Sequence, residues 1–259
     1  MNEIITFGKG YNLTPGIKVF VGSAKKYCDK LTIICSNISS DLKEYLEQNK
    51  VNVVDADRIA STHNVQTSIS PYTLKVIFFY LYCKHYCSSE NVYLCDFTDL
   101  YFQKDLFKLI NNSKPYVTSE NFLIENCDTN TAWINICYNR DIYNLLKKYE
   151  IINGGSILGS KSGCIDLLKE MCADMTQIIS RIGNYQNIDQ ASLNKVIYFD
   201  QERYNILNKL EIANLAHLEK SVVNIKADII EINNHEPYVI HQYDVIKNIE
   251  GHLYKTYTK

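Results

Sequence analysis

Apolar and polar positions along the chain follow two periods in turn. The runs "IITFG" (4–8), "KLTIICSN" (30–37), "VNVVDAD" (51–57) and "NVYLCD" (91–96) have the length and β-branched content of strands. Between them, "TPGIKVFVGSAKKYC" (14–28), "SDLKEYLEQNK" (40–50) and "PYTLKVIFFYLYCKHY" (71–86) carry apolar residues at helical spacing. Thr14 with Pro15 behind it marks the first helix start, and Ser40 or Asp41 the second. Strands separated by helices in this way predict a parallel α/β sheet covered on both faces.

The second half is less regular. "YVTSEN" (116–121) and "TAWINICY" (131–138) read as strands, "RDIYNLLKKYE" (140–150) as a helix, "IINGGSILGS" (151–160) as a strand interrupted by two glycines, and "CIDLLKEMCADMTQIIS" (164–180) as a helix. No internal repeat, low-complexity linker or charge block marks a boundary, and 259 residues are enough for one large α/β domain. The stretch after Asp244 is polar and reads as a mobile tail.

Composition narrows the partners. With 27 basic and 29 acidic side chains the formal net charge is -2, so no excess positive field is present to hold nucleic acid. Met1 is followed by Asn2 and Glu3 rather than by a basic stretch and an apolar run, and no segment is apolar enough for a transmembrane span. The expectation is a cytoplasmic protein. Its nine cysteines are an odd number, and Cys35, Cys95 and Cys137 fall in core segments, so they read as free thiols. "CKHYC" (83–87) reads as core packing, because a helix puts Cys83 and Cys87 on one face and His85 on another, and no second pair completes a zinc site.

The candidate chemistry lies where the fourth strand ends. Ligands of open α/β sheets gather beyond the carboxyl ends of the strands, the place of Asp55, Asp57, Asp96 and Asp99. Asp96 and Asp99 are three residues apart, so the chain must turn between them for the two carboxylates to converge. Alternatively they cap that turn through side-chain hydrogen bonds to the backbone.

A buried strand ending in clustered aspartates behind a helix carrying "YTLK" resembles the nucleotide-sugar core of the GT-A glycosyltransferases, in particular family-8-like enzymes with an acidic DxD. "INGGSILG" resembles their donor-sugar segment, "DQASLN" their Asp-Gln motif, and "VIHQYD" the late histidine of their metal site. Four motifs in this order span about 170 residues. The chain departs from the family in having Asp-Phe-Thr-Asp, with Thr98 where the second carboxylate stands. Either Asp99 takes that role through the turn, or metal binding is weakened or lost.

The resemblance implies a GT-A domain over residues 1–259: a nucleotide-binding half to about 110, a donor-sugar and acceptor half from 111 to 245, and a polar tail over 246–259. It implies transfer of a sugar from a nucleoside-diphosphate sugar, a UDP-sugar, to an unknown acceptor. Mn²⁺ or Mg²⁺ would be held by Asp96, Asp99 and His241, since oxygen ligands suit either ion and an imidazole tilts the choice towards Mn²⁺. Donor binding would fall to Thr6, Phe7, Tyr11, Asp55, Lys75, Asp96, Asn153, Gly154 and Gly155, and catalysis to Asp189 and Gln190. On the residues alone, Lys75 is equally a snorkelling lysine, Gly154 and Gly155 a bulge, and Asp189 a helix cap. Two other readings are a metal-dependent phosphoryl-transfer enzyme or hydrolase, against which Thr98 speaks, and a nucleotide-sugar-binding protein with weakened catalysis.

Overall fold

The computed structural model describes residues 1–183, 185, 187–226 and 229–258. Its first part follows the expected alternation: β1 (Asn2–Lys9), α1 (Pro15–Ala24), β2 (Lys30–Ser36), α2 (Ser40–Gln48), β3 (Asn52–Asp55), α3 (Ala56–His63), α4 (Pro71–His85) and β4 (Asn91–Cys95). Thr14 caps α1 by accepting from Ile17 N, with Pro15 at the first helical position. The cap position of α2 is Ser39, one residue before the expected pair.

The chain continues as β5 (Leu100–Phe102), β6 (Tyr116–Leu123), α5 (Asp128–Cys137), α6 (Arg140–Leu146), β7 (Glu150–Ser160), α7 (Lys161–Ile182) and α8 (Ile188–Phe199). It ends as β8 (Asn205–Leu207), β9 (Ile212–Asn214), β10 (Val223–Lys226), β11 (Ile229–Ile232), β12 (Val239–His241) and α9 (Lys247–Tyr257). Seven strands form the central sheet in the order β3-β2-β1-β4-β7-β6-β8. β1 to β4 are parallel, and β7 runs antiparallel to both β4 and β6. A small sheet, β5-β12-β9, stands apart from it.

Adjacent residues of the parallel strands enter opposite cores, as the period-two pattern requires. Ile4, Ile33 and Tyr93 pack with Phe20 of α1 and Leu42 of α2, whereas Ile5, Ile34 and Leu94 pack with Phe78 of α4, Leu168 of α7 and Leu193 of α8. All nine cysteines are free, and Cys83 and Cys87 are buried while His85 lies outside and stacks on His63.

Two expectations are corrected. "TAWINICY" is helical, within α5: Asn130, Ile134 and Cys137 are its buried positions, a spacing of four and three that a strand cannot bury on one face. The tail expected over 246–259 instead forms α9, which buries Ile249 and Leu253 with Val19 of α1; Lys259 lies outside the described residues. The two glycines of "INGGSILG" lie where β7 loses its pairing with β6: the register jumps from Ile157 opposite Val117 to Ile152 opposite Ser119, although β7 itself spans Glu150 to Ser160. Among the described residues no helix is long and apolar enough to cross a membrane.

Candidate active site

The turn after β4 explains how aspartates three apart converge. Phe97 is buried and packs edge-on against Tyr11 and Phe20, which pins the centre of the turn to the core. The Thr98 carbonyl accepts from Tyr243 Oη (3.1 Å) and sits 2.7 Å from where a Cβ on Gly16 would be, so a bare glycine in α1 lets the turn settle. The chain then leaves the main sheet as β5 and pairs Leu100 with His241 of β12, while Gln242 N donates to Asp99 O (2.8 Å). Asp99 and His241 are thereby brought to the end of β4.

His241 Nε2 lies 3.5 Å from Asp96 Oδ2 and 3.5 Å from Asp99 Oδ2, too far for a good hydrogen bond. Both ring nitrogens are buried with no hydrogen-bond partner, although the residue is only 1 % exposed. Asn214, paired with His241 in the parallel β9–β12 ladder, likewise has Oδ1 and Nδ2 buried without partners. A buried polar atom left unpaired is costly. The three ligand atoms lie within 4.8 Å of one another, and ligands about 2.1 Å from a common ion stand roughly 3 to 4 Å apart. Two carboxylates and an orphaned imidazole therefore fit Mg²⁺ or Mn²⁺.

Lys75, on α4, reaches the same place. Its Nζ is 2.8 Å from Asp96 Oδ1, 3.2 Å from Gly154 O and 3.4 Å from Asp189 Oδ2. Burial alone would lower its pKa, but Asp96 and then Asp189 hold it well above the usual lysine range. Burial would likewise raise Asp96, yet Lys75, and after it His241, keeps that carboxyl well below the usual range. For His241, burial is outweighed by Asp99 and Asp96, which raise the ring to about 10. The snorkelling reading of Lys75 is thus set aside: its ammonium is enclosed by two carboxylates and a carbonyl.

Gly155 is required by close approach. A Cβ there would lie 2.1 Å from Asp96 Oδ2 and 2.8 Å from His241 Cε1, whereas a Cβ on Gly154 would meet Gln190 Oε1 at 3.4 Å, an ordinary contact. Asn153 locks this stretch of β7, with Oδ1 accepting from Gly155 N (2.8 Å) and Nδ2 donating to Glu120 Oε1 (2.8 Å). Gln190 does the same from α8: Oε1 accepts from Gly154 N (3.0 Å) and Nε2 donates to Asn130 Oδ1 (2.9 Å).

Two cavities meet at these residues. An aromatic one of about 380 Å³ is lined by Phe7, Lys9, Tyr11, Tyr72, Phe97 and Thr98. A polar one of about 400 Å³ runs from Gly154, Gly155, Asp189 and Gln190 to Glu120, Trp133 and His217. Lys75, Asp96, Asp99 and Tyr72 line both. Burial, then Asp96 and Asp99, raise the Tyr11 phenol above its ordinary 10, so it stays protonated beside the acids.

Of the residues named from sequence, Phe7, Tyr11, Lys75, Asp96, Asp99, His241, Asn153, Gly154, Gly155, Asp189 and Gln190 come together here. Asp55 does not: it is exposed and caps α3, accepting from Asp57 N and Arg58 N. Thr6 is fully buried opposite Cys95 in the β1–β4 ladder and lines neither cavity. Glu120, Trp133 and His217 were missed. β6 loses register between Val117 and Leu123, with Asn121 at φ 51°, so strand alternation gives no indication that Glu120 faces a cavity.

A mixed sheet with four parallel strands, a cleft at their carboxyl ends and an antiparallel return through β7 has the fold of GT-A-type glycosyltransferases. The solved structure of mouse xyloside xylosyltransferase 1 in its apo form shares it, with a TM-score of 0.58 over 93% of this chain and 97% of that chain, at 11% sequence identity. At that identity the likeness carries the fold. No protein-family model matches the sequence, and no curated protein matches it.

Proposed function

We propose that the protein is a glycosyltransferase that moves a sugar from a nucleoside-diphosphate sugar, a UDP-sugar, to an acceptor with the help of a divalent cation. The observation that carries this reading is the convergence of Asp96, Asp99 and His241, whose ring nitrogens lack a hydrogen bond, at the junction of the two cavities, in a fold of glycosyltransferase type. A divalent cation bound there would neutralise the charge that develops on a departing diphosphate. The aromatic cavity takes the nucleoside, with Phe7 and Tyr11 against it, and the polar cavity takes the sugar. On this reading residues 1–110 hold the nucleotide and 111–245 the sugar and acceptor.

Lys75 orients Asp96 and Asp189 and keeps Asp96 charged. Asp189 stands beside the reacting carbon, and Gln190, whose Oε1 retains a second lone pair after accepting from Gly154 N, lends that oxygen to positive charge on the sugar ring. Asn153 and Gly155 hold the backbone against which the sugar lies. A phosphoryl-transfer enzyme using the same acids is the less favoured reading, since the solved neighbour is a sugar transferase. A thermal-shift screen tests the proposal. UDP and UDP-sugars should raise the melting temperature in the presence of Mn²⁺ and much less without it, because a ligand at 100 times its Kd adds about 2.7 kcal/mol. Stabilisation by no nucleoside diphosphate would overturn it.

A further inference from the structure

The far end of the polar cavity has a construction that donor binding leaves unexplained. Trp133, the only tryptophan of the chain, lines it from α5 together with Thr129 and Asn130, four and three positions before it on the same helix face. Glu120 and His217 line the same cavity. Glu120 is 7 % exposed and accepts from Asn153 Nδ2, while its other oxygen lies 3.1 Å from His217 Nε2. The His217 ring is stacked on Phe122, with centroids 4.5 Å apart and planes 4° apart. A buried carboxylate fixes one ring nitrogen and an aromatic face fixes the ring plane, so His217 presents a set edge at the cavity wall. Glu120 and Asn130 both accept from Gln190 Nε2 (3.5 and 2.9 Å), which ties this end of the cavity to the end lined by Gly154 and Asp189.

A half-buried indole that shares a cavity with a carboxylate–imidazole pair has the chemistry of a saccharide site. A pyranose offers an apolar C–H face, suited to the indole plane, and a rim of hydroxyls, suited to fixed acceptors and donors. A peptide hydroxyl would leave the indole without an apolar ring to cover, and a lipid chain would bring no hydroxyl to the remaining lone pairs of the Glu120–His217 pair. We propose that Trp133, Glu120 and His217 form the acceptor subsite, and that the acceptor is itself a saccharide, its ring on Trp133 and a hydroxyl against the Glu120–His217 pair. This rests on the glycosyltransferase reading for the word acceptor, but not for the binding of a sugar.

The single tryptophan makes the test direct. Methyl α- and β-pyranosides of glucose, galactose and xylose are titrated into the protein, with and without UDP and Mn²⁺, and Trp133 fluorescence is followed; UDP binding is measured in parallel by calorimetry. At least one glycoside should give a saturable change, weakened about tenfold in His217→Ala and in Glu120→Gln. Trp133→Ala lacks the reporter and is read by saturation-transfer NMR with the same glycosides, where the signal should be lost while the melting temperature shows a folded protein. If UDP binds with Mn²⁺ but no glycoside perturbs Trp133, the subsite is refuted and the transferase reading stands. If glycosides bind and no nucleotide does, the sugar site stands and the transferase reading falls. A peptide bearing serine or threonine that perturbs Trp133 where all glycosides fail would overturn the choice of a saccharide.

Discussion

Two carboxylates of neighbouring parallel strands, Glu3 fully buried and Asp96 half-buried just past its strand, stand at opposite ends of the sheet, and their surroundings differ in kind. Glu3 of β1 is level with Val92 of β4, so Asp96 lies four residues further along, roughly 13 Å away. Glu3 is fully buried, and its two oxygens accept from Thr32 Oγ1 (2.5 Å), Tyr82 Oη (2.8 Å), Ser89 Oγ (2.6 Å) and Cys87 Sγ (3.2 Å), with Lys30 Nζ at 3.2 Å. Every group around Glu3 has a partner within the protein. At Asp96 the ring nitrogens of the neighbouring His241 have no hydrogen bond and only carboxylates 3.5 Å away, the Asn214 side chain beside it has none, and Gly155 is kept bare to admit Asp96 and His241. Burial of an acid is thus compatible with a purely structural role; unmet polar partners around it point to a ligand.

That contrast can be broken from either end. The largest effect on stability should come from Glu3→Gln, which leaves Lys30 and several hydroxyl donors without a carboxylate and should cost about 2–4 kcal/mol in denaturant unfolding with UDP affinity unchanged. Burial works to raise the Glu3 pKa, but hydrogen bonds from Ser89, Thr32 and Tyr82 outweigh it and hold the group below its ordinary 4.5. A carboxyl depressed in the folded state contributes stability above its unfolded pKa and loses it as pH falls through the folded value. The wild type should therefore lose this increment below about pH 4.5, and Glu3→Gln should show a flatter acid limb. A variant as stable as wild type would remove the distinction between the two ends.

A smaller effect should separate the adjacent glycines. Gly155→Ala drives a methyl into Asp96 and His241 and should weaken metal-dependent UDP binding about tenfold or more, with about 1–3 kcal/mol of lost stability. Gly154→Ala makes only ordinary contacts with Gln190 and Asp189 and should change either quantity by a small fraction of that. Equal effects would mean that the close packing over Gly155 has no bearing on the site.

Much of the parallel half was legible in the sequence because its strands are buried on both faces and its helices carry caps, so periodicity and punctuation agree. The convergence of Asp96, Asp99 and His241 came from resemblance, since nothing local says that β5 and β12 pair. Strands of three residues, such as Leu100–Phe102 and Val239–His241, are too short to show a period. α5 was misread because its isoleucines and threonines favour strands, and its burial spacing emerges only once α8 packs on it. That misreading hid Trp133, which as a strand residue would not share a face with Asn130. Glu3 drew no attention, because nothing in "MNEIITFG" tells that four side chains from distant segments converge on it.

The most direct measurement is the Mn²⁺ affinity of the UDP-bound protein, by calorimetry, for wild type, Asp99→Asn, His241→Ala and the double variant. If the two side chains hold one ion, each single change lowers affinity about ten- to hundredfold and the double variant is little worse than the weaker single one. Affinity unchanged in Asp99→Asn, or losses that add in the double variant, would contradict a shared ion and return Asp99 to the role of a turn residue.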